Sequence, residues 1–160
     1  MEAKAPVVVQ LTEEYIMSNE RTYAGSCFCG DVQFTVNGEP LLMGYCHCES
    51  CRRWSAAPVN AYTLWKPEAV QVTRGEHNIG TYNKTPHSYR KWCKTCGGHI
   101  FTEHPGKGFI DVYAAVIPDF PYNPRIHVHY QESKLHIKDG LPKMKDISKE
   151  RGGSGVTMAE

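Results

Sequence analysis

Apolar and polar residues alternate along much of the chain with the two-residue period of β-strands. From Val32 to Val36 every second residue is apolar. This predicts a strand with one buried face, and Asn37-Gly38 predicts the turn that ends it. Residues 108–116 predict another strand, on which alternate residues share a face: Ile110, Val112, Ala114 and Val116. The remaining predicted strands cover 21–26, 41–45, 59–64, 69–73, 80–83, 88–92, 100–102, 126–130 and 134–137.

Helical signals are few. Residues 50–57 predict one short helix that ends near Pro58. Residues 1–20 predict a peripheral arm, with a short strand over 7–11 and a helical turn that begins at Thr12. From 148 to 160 the chain is rich in glycine and poor in apolar residues, which predicts a flexible tail. The pattern therefore favours one mainly β domain over residues 21–147.

The composition of the chain limits the classes of partner that it is expected to bind. The 160 residues carry a formal net charge of +1, so the overall field favours neither nucleic acid nor membrane. No apolar run approaches the roughly 20 residues of a membrane span. We expect a cytoplasmic protein that acts on a small molecule and could form a homo-oligomer.

Seven cysteines fall into three clusters. The number is odd, so internal disulfides cannot use every thiol. Cys27-x-Cys29 is badly strained as a disulfide, and no βαβ pattern surrounds Cys93-x-x-Cys96 to indicate a redox pair. Two cysteine pairs about 65 residues apart can instead close a tetrahedral structural zinc site.

Cys46, Cys48 and Cys51 then remain. Three protein ligands and an open position are typical of catalytic zinc, which can lower the pKa of a thiol or polarise a carbonyl. Two alternatives stay open at this point. One is a second structural zinc with His47 or a distant histidine as fourth ligand, and the other is a set of thiols without metal.

Several side chains near the clusters could complete a site. Arg52 and Arg53 could bind substrate carboxylates or compensate thiolate charge. His127 and His129 lie two residues apart on a predicted strand and would face one side, as ligands or proton carriers. We expect the two tryptophans near the clusters to lie in the core or in a pocket wall and not to react: Trp54 and Trp92.

Five segments resemble the family of glutathione-dependent formaldehyde-activating enzymes, which also includes centromere protein V. They are residues 25–34, 46–53, 92–97, 124–128 and 139–142. The resemblance implies a β-tent fold of stacked antiparallel sheets with little helix. It implies a structural zinc on Cys27, Cys29, Cys93 and Cys96, and a second zinc on Cys46, Cys48 and Cys51.

The family's activity joins glutathione and formaldehyde to S-hydroxymethylglutathione, which is carbon–sulfur lyase chemistry. We therefore expect a zinc enzyme with two Zn²⁺ per chain, one structural and one catalytic or labile, and with glutathione as co-substrate. Cys46, Cys48 and Cys51 would be the catalytic group, and Arg52 or Arg53 would bind the co-substrate. The alternatives are a non-enzymatic zinc scaffold or interaction module, and a thiol redox or metal sensor.

Overall fold

The computed structural model describes residues 21–160 and is built mainly from β-strands. Within this range there is one α-helix, α1 (Glu49–Ser55). The strands are β1 (Thr22–Ser26), β2 (Gln33–Asn37), β3 (Leu42–Cys46), β4 (Asn60–Trp65), β5 (Val70–Arg74), β6 (Ile79–Thr85), β7 (Ser88–Cys93), β8 (His99–His104), β9 (Phe109–Tyr113), β10 (His127–Val128), β11 (Lys143–Met144) and β12 (Thr157–Met158). The prediction of a mainly β chain with little helix is confirmed.

The strands form two sheets. The smaller has the order β1-β2-β5, and the larger has the order β12-β11-β10-β3-β4-β9-β8-β7-β6. Most neighbours are antiparallel, but β10 runs parallel to both β3 and β11. The stacked antiparallel architecture expected from the sequence is therefore observed, with one parallel insertion next to β3.

The core lies between the two sheets. Val32, Phe34 and Val36 are each at most 1% exposed, as their alternation predicts. Phe34 meets Phe101 of the large sheet edge to face, with ring centroids 6.0 Å apart. Because alternate residues of a strand point to opposite faces, the other face of the large sheet is free to carry a site.

That outer face is organised around the end of β3. Gly44 is paired with Tyr62 of β4, and a Cβ added at Gly44 would lie 2.5 Å from the backbone oxygen of Ile126. Only glycine therefore lets the segment before β10 approach β3 this closely. Val128 of β10 lies opposite Cys46, the last residue of β3.

Two predicted strands differ from the structure. The strand over 108–116 ends at Tyr113, and Ala114–Val116 form a 3₁₀ turn. The chain leaves the sheet there before Pro118, which has no N–H for a ladder. Residues 134–137 form no strand, because the Ile137 amide donates instead to the Tyr130 hydroxyl.

The segment 148–160 also differs from the predicted flexible tail. Thr157–Met158 pair with β11, and Glu160 accepts a hydrogen bond from the buried Lys143 ammonium at 2.7 Å. Strand pairing and a buried cation order this segment, although it offers little apolar surface. The arm predicted over residues 1–20 lies outside the described residues.

Candidate metal centres and active site

Four cysteines from two distant segments meet at one end of the fold. Their Sγ atoms lie within 4.8 Å of one another: Cys27, Cys29, Cys93 and Cys96. The sulfurs of Cys27 and Cys29 are 3.6 Å apart, and those of Cys29 and Cys93 are 3.9 Å apart. Zn–S bonds of about 2.3 Å in a tetrahedron require about 3.8 Å between sulfurs, so this donor set fits zinc.

Backbone amides point at these sulfurs. The amide of Val32 donates to Cys27 Sγ at 3.3 Å and that of Gly98 to Cys96 Sγ at 3.4 Å. Gly97 has φ +74, a left-handed conformation that lets the second turn close tightly. Burial raises the pKa of Cys96, but the amides of Gly98 and Cys29 outweigh it and lower the pKa to about 7. These donors stabilise thiolates, the form that binds metal.

The second group consists of Cys46, Cys48 and Cys51, whose Sγ atoms also lie within 4.8 Å of one another. Cys46 ends β3, Cys48 caps helix α1, and Cys51 lies in its first turn. Hydrogen bonds from the other two thiols, and one from the Cys51 amide at 3.3 Å, lower the pKa of Cys48 to about 2. The three sulfurs suit a soft divalent metal such as zinc, and no His, Asp or Glu of residues 21–160 joins the group.

His47 lies between the first two of these cysteines but does not face the sulfurs. Its Nε2 is 2.8 Å from His127 Nδ1, and its Nδ1 is 3.0 Å from Ser133 Oγ. His127 Nε2 in turn meets Asp139 Oδ2 at 2.9 Å. His47 and His127 are fully buried, so these histidines support the cysteine loop from behind and His47 is not placed as a fourth ligand.

A cavity of about 170 Å³ opens beside Cys46. Most of its accessible surface is apolar, although polar and apolar residues contribute to the lining in equal number. The apolar lining is Leu42, Leu64, Phe109, Ile126, Val128 and Ile147, and the polar lining is Tyr62, His104, Asp111, His129, Ser148 and Arg151. An apolar pocket with a few convergent polar groups is the usual form of a small-molecule site.

Asp111 is one of the polar residues of this cavity that the sequence did not identify as a site residue. It lies opposite Leu64 of β4 and Thr102 of β8, on the same sheet face as Cys46. Its Oδ1 is buried without a hydrogen-bond partner among the described residues. Burial raises its pKa to about 7, although Arg90 opposes the shift.

Buried polar atoms without partners concentrate on this face. Within the described part of the chain there are four such atoms: Trp54 Nε1, Asn60 Nδ2, Arg90 Nε and Asp111 Oδ1. Asn60 lies directly opposite Cys46, while Arg90 and Asp111 lie two strands apart in one cross-strand row. Trp54 lies on helix α1, which covers the face. Buried polar atoms without partners are rare in folded proteins, and several on one face indicate a surface that binds a polar ligand.

The two arginines after the cluster lie away from the cavity. Arg52 Nε donates to the His47 carbonyl at 2.8 Å and so secures the cysteine loop. Arg53 is exposed and lies 3.7 Å from Glu49. Neither arginine lines the cavity beside Cys46, so a carboxylate-binding role for Arg52 or Arg53 stays a prediction.

The histidines predicted to face one side are separated. His127 belongs to β10, but His129 has φ 54, a left-handed backbone that turns it out of the strand. His129 therefore lines the cavity while His127 is buried behind the loop. The alternation rule failed here because β10 is only two residues long.

Comparison with known proteins settles the family. The family model described as glutathione-dependent formaldehyde-activating enzyme matches residues 22–132. The chain belongs to this family. All three cysteine clusters lie within the matched residues, so the motifs that carried the resemblance and the family match agree.

Individual relatives are distant. An uncharacterized lyase of Schizosaccharomyces pombe is 29% identical over 79 residues, covering 49% of this chain and 56% of that protein. A Penicillium rubens protein provisionally named glutathione-dependent formaldehyde-activating enzyme is 26% identical over 113 residues, covering 65% of this chain and 59% of its own length. The chain thus spans less than two thirds of these curated relatives.

A crystal structure of a Rhodobacter sphaeroides protein shares the fold. The TM-score is 0.52 at 25% identity, over 64% of this chain and 92% of that one. No helix among residues 21–160 is long and apolar enough to cross a membrane.

Proposed function

We propose that this protein is a zinc-dependent carbon–sulfur lyase acting on the adduct of formaldehyde and a thiol, with glutathione as the thiol. The observation that carries the proposal is the group of three sulfurs, without a fourth protein ligand among the described residues, beside a small and mostly apolar cavity. Family membership supplies the named chemistry.

Zinc on Cys46, Cys48 and Cys51 would supply Lewis acidity, lowering the pKa of a thiol or polarising a carbonyl oxygen. The protein would contribute the rest. The apolar wall would disfavour water in the cavity, so that formaldehyde would bind there as the free aldehyde in preference to its hydrate. Cys46 and Asp111 share one face of the sheet, and both line this cavity, which supports a role for Asp111 beside the metal.

Asp111 is assigned as the proton carrier. In the forward direction the thiol sulfur bonds to the formaldehyde carbon, the carbonyl π bond breaks, and the oxygen takes a proton. The proton lost by the thiol balances the one gained by the oxygen, and Asp111 Oδ1, which has no hydrogen-bond partner among residues 21–160, can hold it in between. A pKa near 7 suits a group that must both give and accept a proton.

The assay is the exchange of formaldehyde with glutathione, followed by NMR with and without the zinc-loaded protein. We expect exchange faster than the spontaneous reaction. Asp111→Asn should reduce the acceleration by roughly 10²-fold, the usual contribution of a general acid or base. Asp119→Asn is the matched control, because Asp119 is exposed in the Pro118 loop. No acceleration by the parent protein would overturn the formaldehyde proposal.

The pH profile tests the proton carrier separately. Burial raises the pKa of Asp111 to about 7, so the acid form that protonates the oxygen is present below pH 7 and lost above it. The enzyme-dependent rate of adduct formation, divided by thiolate concentration, should therefore fall tenfold per pH unit above about pH 7. A flat profile for the parent protein would remove Asp111 from this role.

A non-enzymatic scaffold is the weaker candidate. A closed four-ligand site would favour it, whereas the three sulfurs here have an adjoining cavity and no fourth ligand among residues 21–160. The open geometry therefore supports the enzyme.

A further inference from the structure

A second pocket lies between helix α1 and strands β6 and β7, and none of the proposed chemistry uses it. Its volume is about 390 Å³, and we call it the Arg90 pocket. It is lined by Glu49, Ser50, Arg53 and Trp54 of α1 and by Tyr82, Lys84 and Arg90 of β6 and β7. Two basic side chains of the large sheet, Lys84 and Arg90, thus face the helix that begins after Cys48 and contains Cys51.

Arg90 is the unusual residue of this pocket. It is only 6% exposed, yet no carboxylate of residues 21–160 forms an ion pair with it. Its Nη2 donates to Ser50 Oγ at 2.9 Å, and its Nε is buried with no hydrogen-bond partner in the described part of the chain. A buried charge normally requires an opposite charge, because desolvation costs several kcal/mol.

The charge of Arg90 opposes the rise in the pKa of Asp111, but Asp111 lies two strands away and forms no ion pair with Arg90, so the described residues leave Arg90 without a contacting carboxylate. Its guanidinium lies 5.4 Å from the Trp54 ring centroid, and the residues opposite it on the neighbouring strands are Tyr82 and Thr102, both uncharged. Among residues 21–160, Trp54 Nε1 is likewise buried without a partner. A guanidinium whose Nε lacks an acceptor and an indole N–H that lacks one, both on residues that line one pocket, match a carboxylate.

The aromatic rings give the pocket an apolar side. Trp54 stacks on His99 with centroids 4.2 Å apart and lies nearly parallel to Tyr82 at 6.2 Å. These contacts hold the indole in place. Lys84 is exposed at the rim, while Glu49 is engaged by Arg53. The pocket therefore offers a buried cation, flat aromatic walls and an exposed cation at its rim.

We propose that the Arg90 pocket binds the carboxylate of a small organic anion, with Arg90 as the main anchor, Trp54 Nε1 as a second donor and Lys84 at the rim. The carboxylate can come from the thiol substrate itself or from a separate small acid. The first case rests on the proposed function. The pocket adjoins the three-cysteine group, because Ser50, which accepts a hydrogen bond from Arg90, lies between Cys48 and Cys51.

The experiment uses the zinc-loaded full chain and follows the tryptophan side-chain N–H signals by NMR. One probe is S-methylglutathione, which keeps both carboxylates but has no free thiol, and the other is succinate. Trp65 is an internal reference, because its Nε1 donates to Thr63 Oγ1 inside the core at 2.7 Å. We expect a saturable shift of the Trp54 signal and an unmoved Trp65 signal.

The variants distinguish this pocket from general charge attraction. Arg90→Lys, which keeps the charge but loses the planar donor, should weaken binding at least tenfold, roughly the loss for hydrogen bonds to a charged group. Lys84→Gln should weaken it severalfold. Lys66→Gln, an exposed lysine that lines neither pocket, should leave it unchanged. If Arg90→Lys moves the Trp65 signal and so disturbs the fold, the comparison of Lys84→Gln with Lys66→Gln decides.

Each outcome has one meaning. A Trp54 shift with S-methylglutathione assigns the pocket to the thiol substrate, and a shift with succinate alone assigns it to a separate acid. No shift with either probe, or equal binding by Arg90→Lys with an intact Trp65 signal, overturns the pocket. Formaldehyde exchange measured on the same samples separates the proposals: acceleration without a Trp54 shift overturns only the pocket, and a shift without acceleration overturns only the lyase.

Discussion

Lys143 is the residue whose burial most depends on its partners. Its ammonium is 1% exposed and donates to Asp139 Oδ1 at 2.5 Å and to Glu160 Oε1 at 2.7 Å. Asp139 also meets His127, the residue behind the cysteine loop. A single carboxylate therefore stabilises both a buried cation and the support of the candidate active site.

Replacing Asp139 should destabilise the protein. Asp139→Asn removes one of the two carboxylates that compensate the buried Lys143 ammonium, while Glu160 remains, so we expect a loss of about 2 kcal/mol in the free energy of unfolding. Urea denaturation measures it. Asp119→Asn alters an exposed carboxylate that forms no ion pair with residues 21–160, and it should change the value by less than about 0.5 kcal/mol. Equal effects of the two substitutions would show that the pairing with Lys143 contributes nothing.

Asp139 should also make the stability of the protein sensitive to acid. Burial would raise the pKa of Asp139, but hydrogen bonds from Lys143 and His127 outweigh it and hold the pKa well below its usual range. A carboxyl with a lowered folded-state pKa stabilises the protein above its unfolded pKa of about 3.9, and the contribution is lost as the pH falls through and below that value. The melting temperature of the parent should therefore fall more steeply below about pH 4 than that of Asp139→Asn. Parallel curves would contradict this.

At the scale of the element, helix α1 is too short to be stable alone, since isolated helices of fewer than about 12 residues are marginal. Its seven residues are held from outside. Cys48 caps the first turn, Arg52 binds the His47 carbonyl, and Arg90 reaches Ser50 from the sheet. The helix thereby positions Cys48 and Cys51 in the three-cysteine group and Trp54 in the wall of the Arg90 pocket.

Two adjacent arginines of this helix allow a matched test. Arg52→Gln breaks the bond to the His47 carbonyl and loosens the loop between Cys46 and Cys48. Affinity for the central zinc should fall about tenfold, as for other groups that orient metal ligands. Arg53→Gln alters a side chain that is 80% exposed and should leave that affinity within about twofold. Competition with a chromogenic chelator measures both, and equal losses would show that the Arg52 contact does not orient the loop.

At the scale of the whole molecule, the four-cysteine site joins the two sheets. Cys27 and Cys29 follow β1 of the small sheet. Cys93 is the last residue of β7 in the large sheet, and Cys96 lies in the turn between β7 and β8. The three-cysteine site lies within one sheet and its covering helix. Loss of the first metal should therefore affect the fold, and loss of the second should affect mainly the activity.

Metal counting tests this division. We expect two zinc ions per chain, and a single one after Cys51→Ser or mild chelation, with little change in melting temperature. Cys29→Ser should lower the melting temperature by roughly 10 °C or more, because metal binding at a structural site contributes directly to folding. A parent chain with one zinc, or equal thermal effects of the two substitutions, would contradict the assignment.

The amino-acid sequence by itself determined the local features of this protein. Alternating apolar residues predicted most strands, and cysteine spacing predicted which sulfurs group together, because side-chain period and ligand spacing are properties of a few neighbouring residues. It failed where partners come from elsewhere: the order of 148–160 depends on β11 and Lys143, and His129 leaves its strand at a turn.

Only the tertiary structure decided which polar residues join the sites. Asp111 and Arg90 occupy ordinary positions in alternating strands, with no motif around them. The sheet register places Asp111 on the same face as Cys46 and opposes Arg90 to neutral residues, while burial removes the water that would otherwise satisfy both. Desolvation and cross-strand pairing depend on residues distant in sequence, and for that reason the candidate proton carrier and the second pocket became visible only in the folded chain.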